Sequence, residues 1–182
     1  METNFNEIKQ EILRRAKEAR ACKFQYSRAY TAENLSELSE VIKDNFCWVC
    51  AHSVLTVGLI EKYKEDFSAN DIYANQNVKR GYLLCSNATV EAYDSVTVWA
   101  YSDSTVKAYG NATVWARDNA KIKAYDNVTV RACDQAMIEA RDNAYCTSLY
   151  TIDCNLFDQA IYHVRGTNTV YYADSDIKFV KQ

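Results

Sequence analysis

From residue 87 onward the chain repeats itself every eight residues, and no other property of it restricts the fold as strongly. The octads read NATVEAYD, SVTVWAYS, DSTVKAYG, NATVWARD, NAKIKAYD, NVTVRACD and QAMIEARD, then continue in degenerate form as NAYCTSLY, TIDCNLFD, QAIYHVRG and TNTVYYAD without an insertion. The second, fourth and sixth positions are small or β-branched, as in Ala88, Val90 and Ala92 or Ala112, Val114 and Ala116. The third, fifth and seventh are mostly Thr, Trp, Lys, Glu, Tyr or Arg. This period-two alternation describes a short strand with one buried face, closed by turns such as Gly110-Asn111, Asp118-Asn119, Asp126-Asn127 and Asp142-Asn143.

So short a strand cannot cover its own apolar face, so strands at fixed spacing must stack as the rungs of a parallel β-solenoid. A rung of 16 residues places Trp99 over Trp115 and then Arg131, Tyr93 over Tyr109 and Tyr125, and Thr97 over Thr113 and Thr129. A rung of 24 residues sets Glu91 against Trp115 and Trp99 against Lys123. Like-on-like ladders favour the two-sided rung of 16 residues, with the three-sided rung of 24 as the alternative. Six such rungs over residues 87–182 predict a rod of about 29 Å at the usual interstrand spacing.

Residues 1–69 have a helical period and read as a head or cap. One face of a first helix carries Ile8, Ile12, Leu13, Ala16 and Ala19, and a second helix begins at Thr31 and carries Leu35, Leu38, Val41 and Ile42. A third spans 46–55 and a fourth 57–67. Residues 70–86 read as a junction with an imperfect first strand at Gly81-Tyr82-Leu83-Leu84-Cys85. At the far end, Asp174, Asp176, Lys178 and Lys181 around Ile177 and Phe179 read as a charged strand that blunts the edge of the sheet.

Composition narrows the function. The chain has 182 residues, no Pro, 4 Gly, 14 Tyr and a net charge of −3, which excludes Gly-rich phosphate loops and capture of nucleic acid by bulk charge. The first twenty residues are interrupted by nine charged ones, so neither a signal core nor a membrane span is expected there, and a cytoplasmic location is. Seven Cys, an odd number without a scaffold pattern, read as reduced thiols.

The segment ENLSELSEVIKDNF at 33–46, the segment EKYKEDF at 61–67 and the NATVxAYD octads together resemble the octapeptide-repeat proteins of gut Bacteroidetes, their phages and mobile elements. The resemblance covers nearly the whole chain. It implies a helical head on a repeat body and a role in host interaction, such as inhibition of a bacterial defence nuclease of the CRISPR kind.

Catalytic chemistry finds little support in the residues. Cys47, Cys50 and His52 supply at most three zinc ligands without a second CxxC, so the two thiols read as helical core. Cys146 and Cys154 fall on the inward fourth position of their octads and read as small apolar filler. His52 and His163 are the only imidazoles and neither belongs to a nucleophile motif; hexapeptide acyltransferases, the nearest enzymatic solenoids, have a period of six. Asp94, Asp126 and Asp142 stack as turn formers rather than as a calcium roll. No enzyme activity, metal or cofactor is therefore expected.

The outward ladders are the candidate binding site. One face is expected to expose Trp99, Trp115, Tyr101, Arg117 and Arg131, and the other Tyr93, Tyr109 and Tyr125 beside Glu91, Lys107, Lys123 and Glu139. Stacked rings and Glu91–Lys107 or Lys123–Glu139 pairs can simply stabilise a sheet. Exposed Trp and Arg also make interface hot spots. The expected function is a non-enzymatic module for a protein partner, with self-association into an oligomer, or nucleic-acid or glycan binding, as alternatives, and no membrane partner.

Overall fold

The structure, a computed structural model, describes residues 4–173. These divide into two compact units, the first ending at Ala74 and the second beginning at Asn75. The charged strand expected at 174–182 lies outside the described residues.

The first unit holds six helices, α1 (Phe5–Glu18), α2 (Lys23–Thr31), α3 (Leu35–Asp44), α4 (Phe46–Ala51), α5 (Val57–Lys62) and α6 (Lys64–Ser68), followed by a short strand β1 (Ile72–Ala74) against α5 and α6. Helix α1 buries Ile8, Ile12 and Ala16, as its period requires. Thr31 closes α2 instead of opening a helix. The N-cap of α3 is Asn34, whose side chain accepts from the Glu37 N–H at 3.0 Å while the Glu37 carboxylate accepts from the Glu33 N–H at 2.9 Å. Helix α2 escapes a reading of periodicity because it buries only Ala29. Two of the longer expected helices are shorter, since Ser53 takes a positive φ of 55° just beyond α4 and Tyr63 leaves helical geometry between α5 and α6.

Glu11 on α1 accepts hydrogen bonds from Arg14 and Arg15, which hold its carboxyl down at about 2. A depressed folded pKa contributes stability above the unfolded value near 4.5 that is lost as pH falls toward 2. The site is solvated, so Glu11→Gln should cost about 0.5 kcal/mol or less at neutral pH. Acid titration of the helical circular-dichroism signal should show the gap from wild type closing between pH 4.5 and 2; a gap that widens there contradicts the assignment.

The second unit is a parallel β-solenoid of about five turns with two-sided rungs of 16 residues. One sheet contains β2 (Tyr82–Ser86), β4 (Thr97–Tyr101), β6 (Thr113–Ala116), β8 (Thr129–Ala132), β10 (Tyr145–Ser148), β12 (Ile161–Val164) and β13 (Thr169–Tyr172), in that spatial order. The facing sheet contains β3 (Thr89–Ala92), β5 (Thr105–Ala108), β7 (Lys121–Ala124), β9 (Met137–Ala140) and β11 (Asp153–Leu156). Register confirms the short rung: Val98 pairs with Val114 and Val114 with Val130, while across the core Val106 pairs with Ile122. The rung of 24 is excluded. Val90, Ala92, Val98, Ala100, Val106, Ala108, Val114 and Ala124 are fully buried, so the Ala-Val-Ala stripe lets the two sheets close on each other.

The corners show why the turns are written with Asp. Asp118, Asp126, Asp134, Asp142 and Asp158 all have φ between 53° and 58°, the left-handed region that Asp and Asn tolerate better than most residues. Their carboxylates also accept from the corner N–H one rung earlier: Asp126 from Gly110 at 2.8 Å, Asp142 from Asp126 at 3.0 Å, Asp158 from Asp142 at 3.2 Å. One residue thus makes the bend and tethers its neighbour. Asp142→Ala should cost about 1–3 kcal/mol in urea unfolding, combining left-handed strain with a lost acceptor, and Asp142→Gly should recover the strain part. Equal losses for the two variants would remove the backbone half of this explanation.

The repeat departs from expectation at both ends. Tyr82 pairs with Thr97, one residue short of a full rung. The last octad does not add a parallel strand, because β13 runs antiparallel to β12, with Ile161 opposite Tyr172 and Val164 opposite Thr169. The octad ending at Gly166 lacks the Asp-Asn corner, and Asn168 takes the positive φ of 51° instead, so the chain reverses in a hairpin. A Cβ at Gly166 would lie 2.3 Å from the Leu149 carbonyl oxygen, which explains the glycine.

Candidate functional site: the aromatic and basic ladder

Two outward columns cross the larger sheet. One runs Leu84, Trp99, Trp115, Arg131, Thr147 and His163; the other runs Tyr82, Thr97, Thr113, Thr129, Tyr145, Ile161 and Tyr172. The strands of this sheet contain no Asp, Glu or Lys, and Arg131 is their one charged residue. Its guanidinium lies over the Trp115 ring at 4.7 Å and, among the described residues, has no carboxylate partner. Resting on the ring, it keeps its in-plane donors available for an incoming acceptor.

The expectation of an exposed Trp pair is corrected at one position. Trp99 is only 6% exposed and belongs to the core. Leu84 and Trp115 flank it in the column, the two indoles sit at 6.1 Å with a 30° tilt, and the Arg117 guanidinium covers the ring at 5.9 Å. Trp115 is half-buried and Arg131 exposed, so the accessible part of the ladder starts at Trp115. Arg117 is also engaged by Asp134 at 3.4 Å. The Asp134 carboxyl is held below its ordinary value, first by the Cys133 thiol donating at 3.3 Å and further by the Asp118 N–H and Arg117. Tyr101, at the end of β4, is half-buried beside this cluster's column.

Tyr93, Tyr109 and Tyr125 lie on the facing sheet's side and form a separate stack, with centroids 5.1 and 4.9 Å apart and planes within 12°. The column continues with Arg141, whose guanidinium lies over Phe157 at 4.2 Å. Beside it the pairs Lys107–Glu91 at 3.3 Å and Lys123–Glu139 at 3.2 Å form, and Arg141 adds a second contact to Glu139 at 3.0 Å. The Glu91 carboxyl is lowered chiefly by the Tyr93 hydroxyl, then by Lys107; that of Glu139 chiefly by Arg141, then by Lys123. On this face Glu91 and Glu139 are paired, while exposed Lys121 on β7 and Asp153 on β11 make no ion pair among the described residues; the larger sheet has no carboxylate on its strands at all and leaves Arg131 open.

Sequence reasoning missed the far half of the site. Tyr145 and Tyr172 are 39% and 40% exposed and lie in one row with half-buried Ile161, while Leu149 and Tyr150 project from the connection after β10. The signal was present: Tyr145 stands where earlier octads of the column place Thr97, Thr113 and Thr129. From Trp115 to Tyr172 the surface crosses five strands, roughly 19 Å at standard spacing.

Both histidines have partners, and the thiols of Cys50, Cys146 and Cys154 are buried. His163 accepts or donates through both ring nitrogens, to the Tyr145 hydroxyl and the Asn168 side chain, each at 3.2 Å. His52 stacks on Trp48 at 4.5 Å and bonds the Trp48 carbonyl at 2.9 Å, away from any thiol ligation. Burial pushes the Cys50 thiol up, and Cys146 and Cys154 are buried between the sheets, where contact with Cys146 and burial raise the Cys154 thiol. Among the described residues no group of three or more His, Cys, Asp or Glu is placed to hold a metal ion, and no helix is long and apolar enough to cross a membrane. Comparison of the chain with protein-family models, with curated proteins and with solved structures finds no match.

Proposed function

We propose that this protein is a non-enzymatic binding module whose larger solenoid sheet docks a protein partner, in keeping with the host-interaction role that the octapeptide-repeat resemblance implies, for which a bacterial defence protein is the expected target. The observation that carries this reading is the asymmetry between the two faces. The smaller sheet carries charges of both signs and pairs Glu91 with Lys107 and Glu139 with Lys123, while the larger sheet presents Trp115, Arg131, Tyr145 and Tyr172 on carboxylate-free strands. Aromatic rings and Arg are the side chains that return most binding energy when covered. A rigid, flat lattice also loses little freedom on association.

A pull-down from bacterial lysate tests it with three baits: wild type, Trp115→Ser/Arg131→Ala, and Lys107→Ala/Lys123→Ala. The reading expects one discrete protein retained by wild type and by the Lys variant and lost from the Trp115/Arg131 variant. Retention by all three would move binding off the larger sheet. Retained material absorbing as nucleic acid, with salt-sensitive release, would favour the alternative of strand binding on the same ladder. Concentration-dependent size without a retained protein would favour self-association.

A further inference from the structure

We propose that the helical unit contains a binding site for a small, neutral, two-ring aromatic molecule carrying one N–H donor, of the size of indole. The site is a cavity of about 250 Å³ formed within the unit by α1, α2, α3 and α4 and the residues beside them. It is distinct from the solenoid ladder and independent of the function proposed for it.

Its lining has three properties that together select a ligand. The first is the choice of small residues. Ala16, Ala21 and Ala29 border the cavity where any larger aliphatic side chain would fill it. The recess is open on one side, where Cys22 is exposed and Gln25, Tyr26 and Asn45 are half-buried, so a ligand seated there covers apolar wall that water otherwise wets.

The second is neutrality. No Asp, Glu, Lys, Arg or His lines the cavity, and Ile12, Ile42, Val49 and Trp48 supply its apolar wall. A ligand charge seated against this wall would lose its hydration without a counter-charge, which disfavours ammonium, phosphate and carboxylate compounds. An apolar cavity of about 150 Å³ accommodates benzene. A volume of about 250 Å³ has room for a second fused ring but not for a long chain.

The third is a small set of unspent polar atoms. Gln25 Oε1 accepts from Arg28 at 3.0 Å, which leaves its amide N–H groups open. Asn45 Nδ2 donates to the Val41 carbonyl at 2.8 Å, which leaves Oδ1 as an acceptor. The Tyr26 hydroxyl, also on the lining, makes no hydrogen bond to another described residue. Few oriented polar groups in an apolar pocket are the usual means of fixing a ligand's pose. An indole N–H can donate to Asn45 Oδ1 or Tyr26 Oη while its rings take the apolar wall.

The test is titration of the full chain with indole, followed by calorimetry and by NMR contacts between indole protons and protein methyls. Saturable one-to-one binding with Kd of about 10–500 μM is expected for a ligand of this size. Contacts should fall on the methyls of Ile12, Ala29 and Val49. Ala29→Phe, which occupies the cavity, should weaken binding at least tenfold, and indole-3-acetate, which carries a carboxylate, should bind at least tenfold more weakly than indole. Absence of saturable binding to wild type, contacts on solenoid residues, or equal affinity for the charged analogue would each overturn the proposal. If Ala29→Phe fails to fold, the contact map on wild type decides alone. Loss of the lysate partner from the solenoid ladder leaves this result untouched, so the two readings fail separately.

Discussion

Ala116→Glu should abolish the cooperative unfolding transition of the solenoid. Ala116 is 1% exposed at the inward sixth position of its octad, paired to Ala100 and Ala132 within a two-sheet core of Ala and Val. A carboxylate there has neither room nor a partner: the cavity it needs must be opened by parting the sheets, and an unpaired buried charge costs several kcal/mol more. The expected loss is above about 4 kcal/mol, comparable with the whole stability of a small domain. Lys107→Glu, on the outward face of the facing sheet, is the control and should change stability by about 1 kcal/mol or less. Urea unfolding followed by circular dichroism reads both, and a folded Ala116→Glu protein would show that the inward stripe is misassigned.

Trp99→Ala should cost about 3–5 kcal/mol, the range for a large aromatic removed from a packed site, whereas Trp115→Ala, half-buried one rung along, should cost roughly 1–2 kcal/mol. The two residues occupy the same octad position and are written in the same TVWA tetrad, so any difference must come from their surroundings. Trp99 is closed in by Leu84, Trp115 and Arg117, while Trp115 has on its far side only the Arg131 guanidinium. The same denaturation series measures both. Equal losses would mean that Trp99 is no more covered than its neighbour, and would return it to the binding surface.

That pair also marks what a sequence of this kind discloses. Interior positions, rung length and the aspartate corners are legible because each depends on neighbours at a fixed offset, and Thr113, Trp115 and Tyr109 all find their partners sixteen residues away. Burial of an outward residue depends on what lies over it, and no period records that; Trp99 is the case in point. Helix α2 is illegible for the converse reason, since only Ala29 of its nine residues is buried and no apolar stripe betrays it. The reversal into β13 goes with the lost Asp corner at Gly166, with Asn168, two residues later, taking the positive φ that bends the chain. Tyr145 and Tyr172 were obscured because degenerate octads weaken the repeat at the place where the exposed surface becomes most aromatic.

The face assignment rests on charge. Arg131 is the sole charged residue on the strands of the larger sheet, and the smaller sheet neutralises its own Glu91 and Glu139. A photocrosslinking side chain placed at Thr129, beside Arg131 on the larger sheet, and separately at Thr105 on the facing sheet, tests that assignment most directly, with irradiation in bacterial lysate and mass-spectrometric identification of adducts. The account expects one discrete protein adduct from Thr129 and none from Thr105. Adducts of the same protein in equal yield from both positions, or from Thr105 alone, would contradict it.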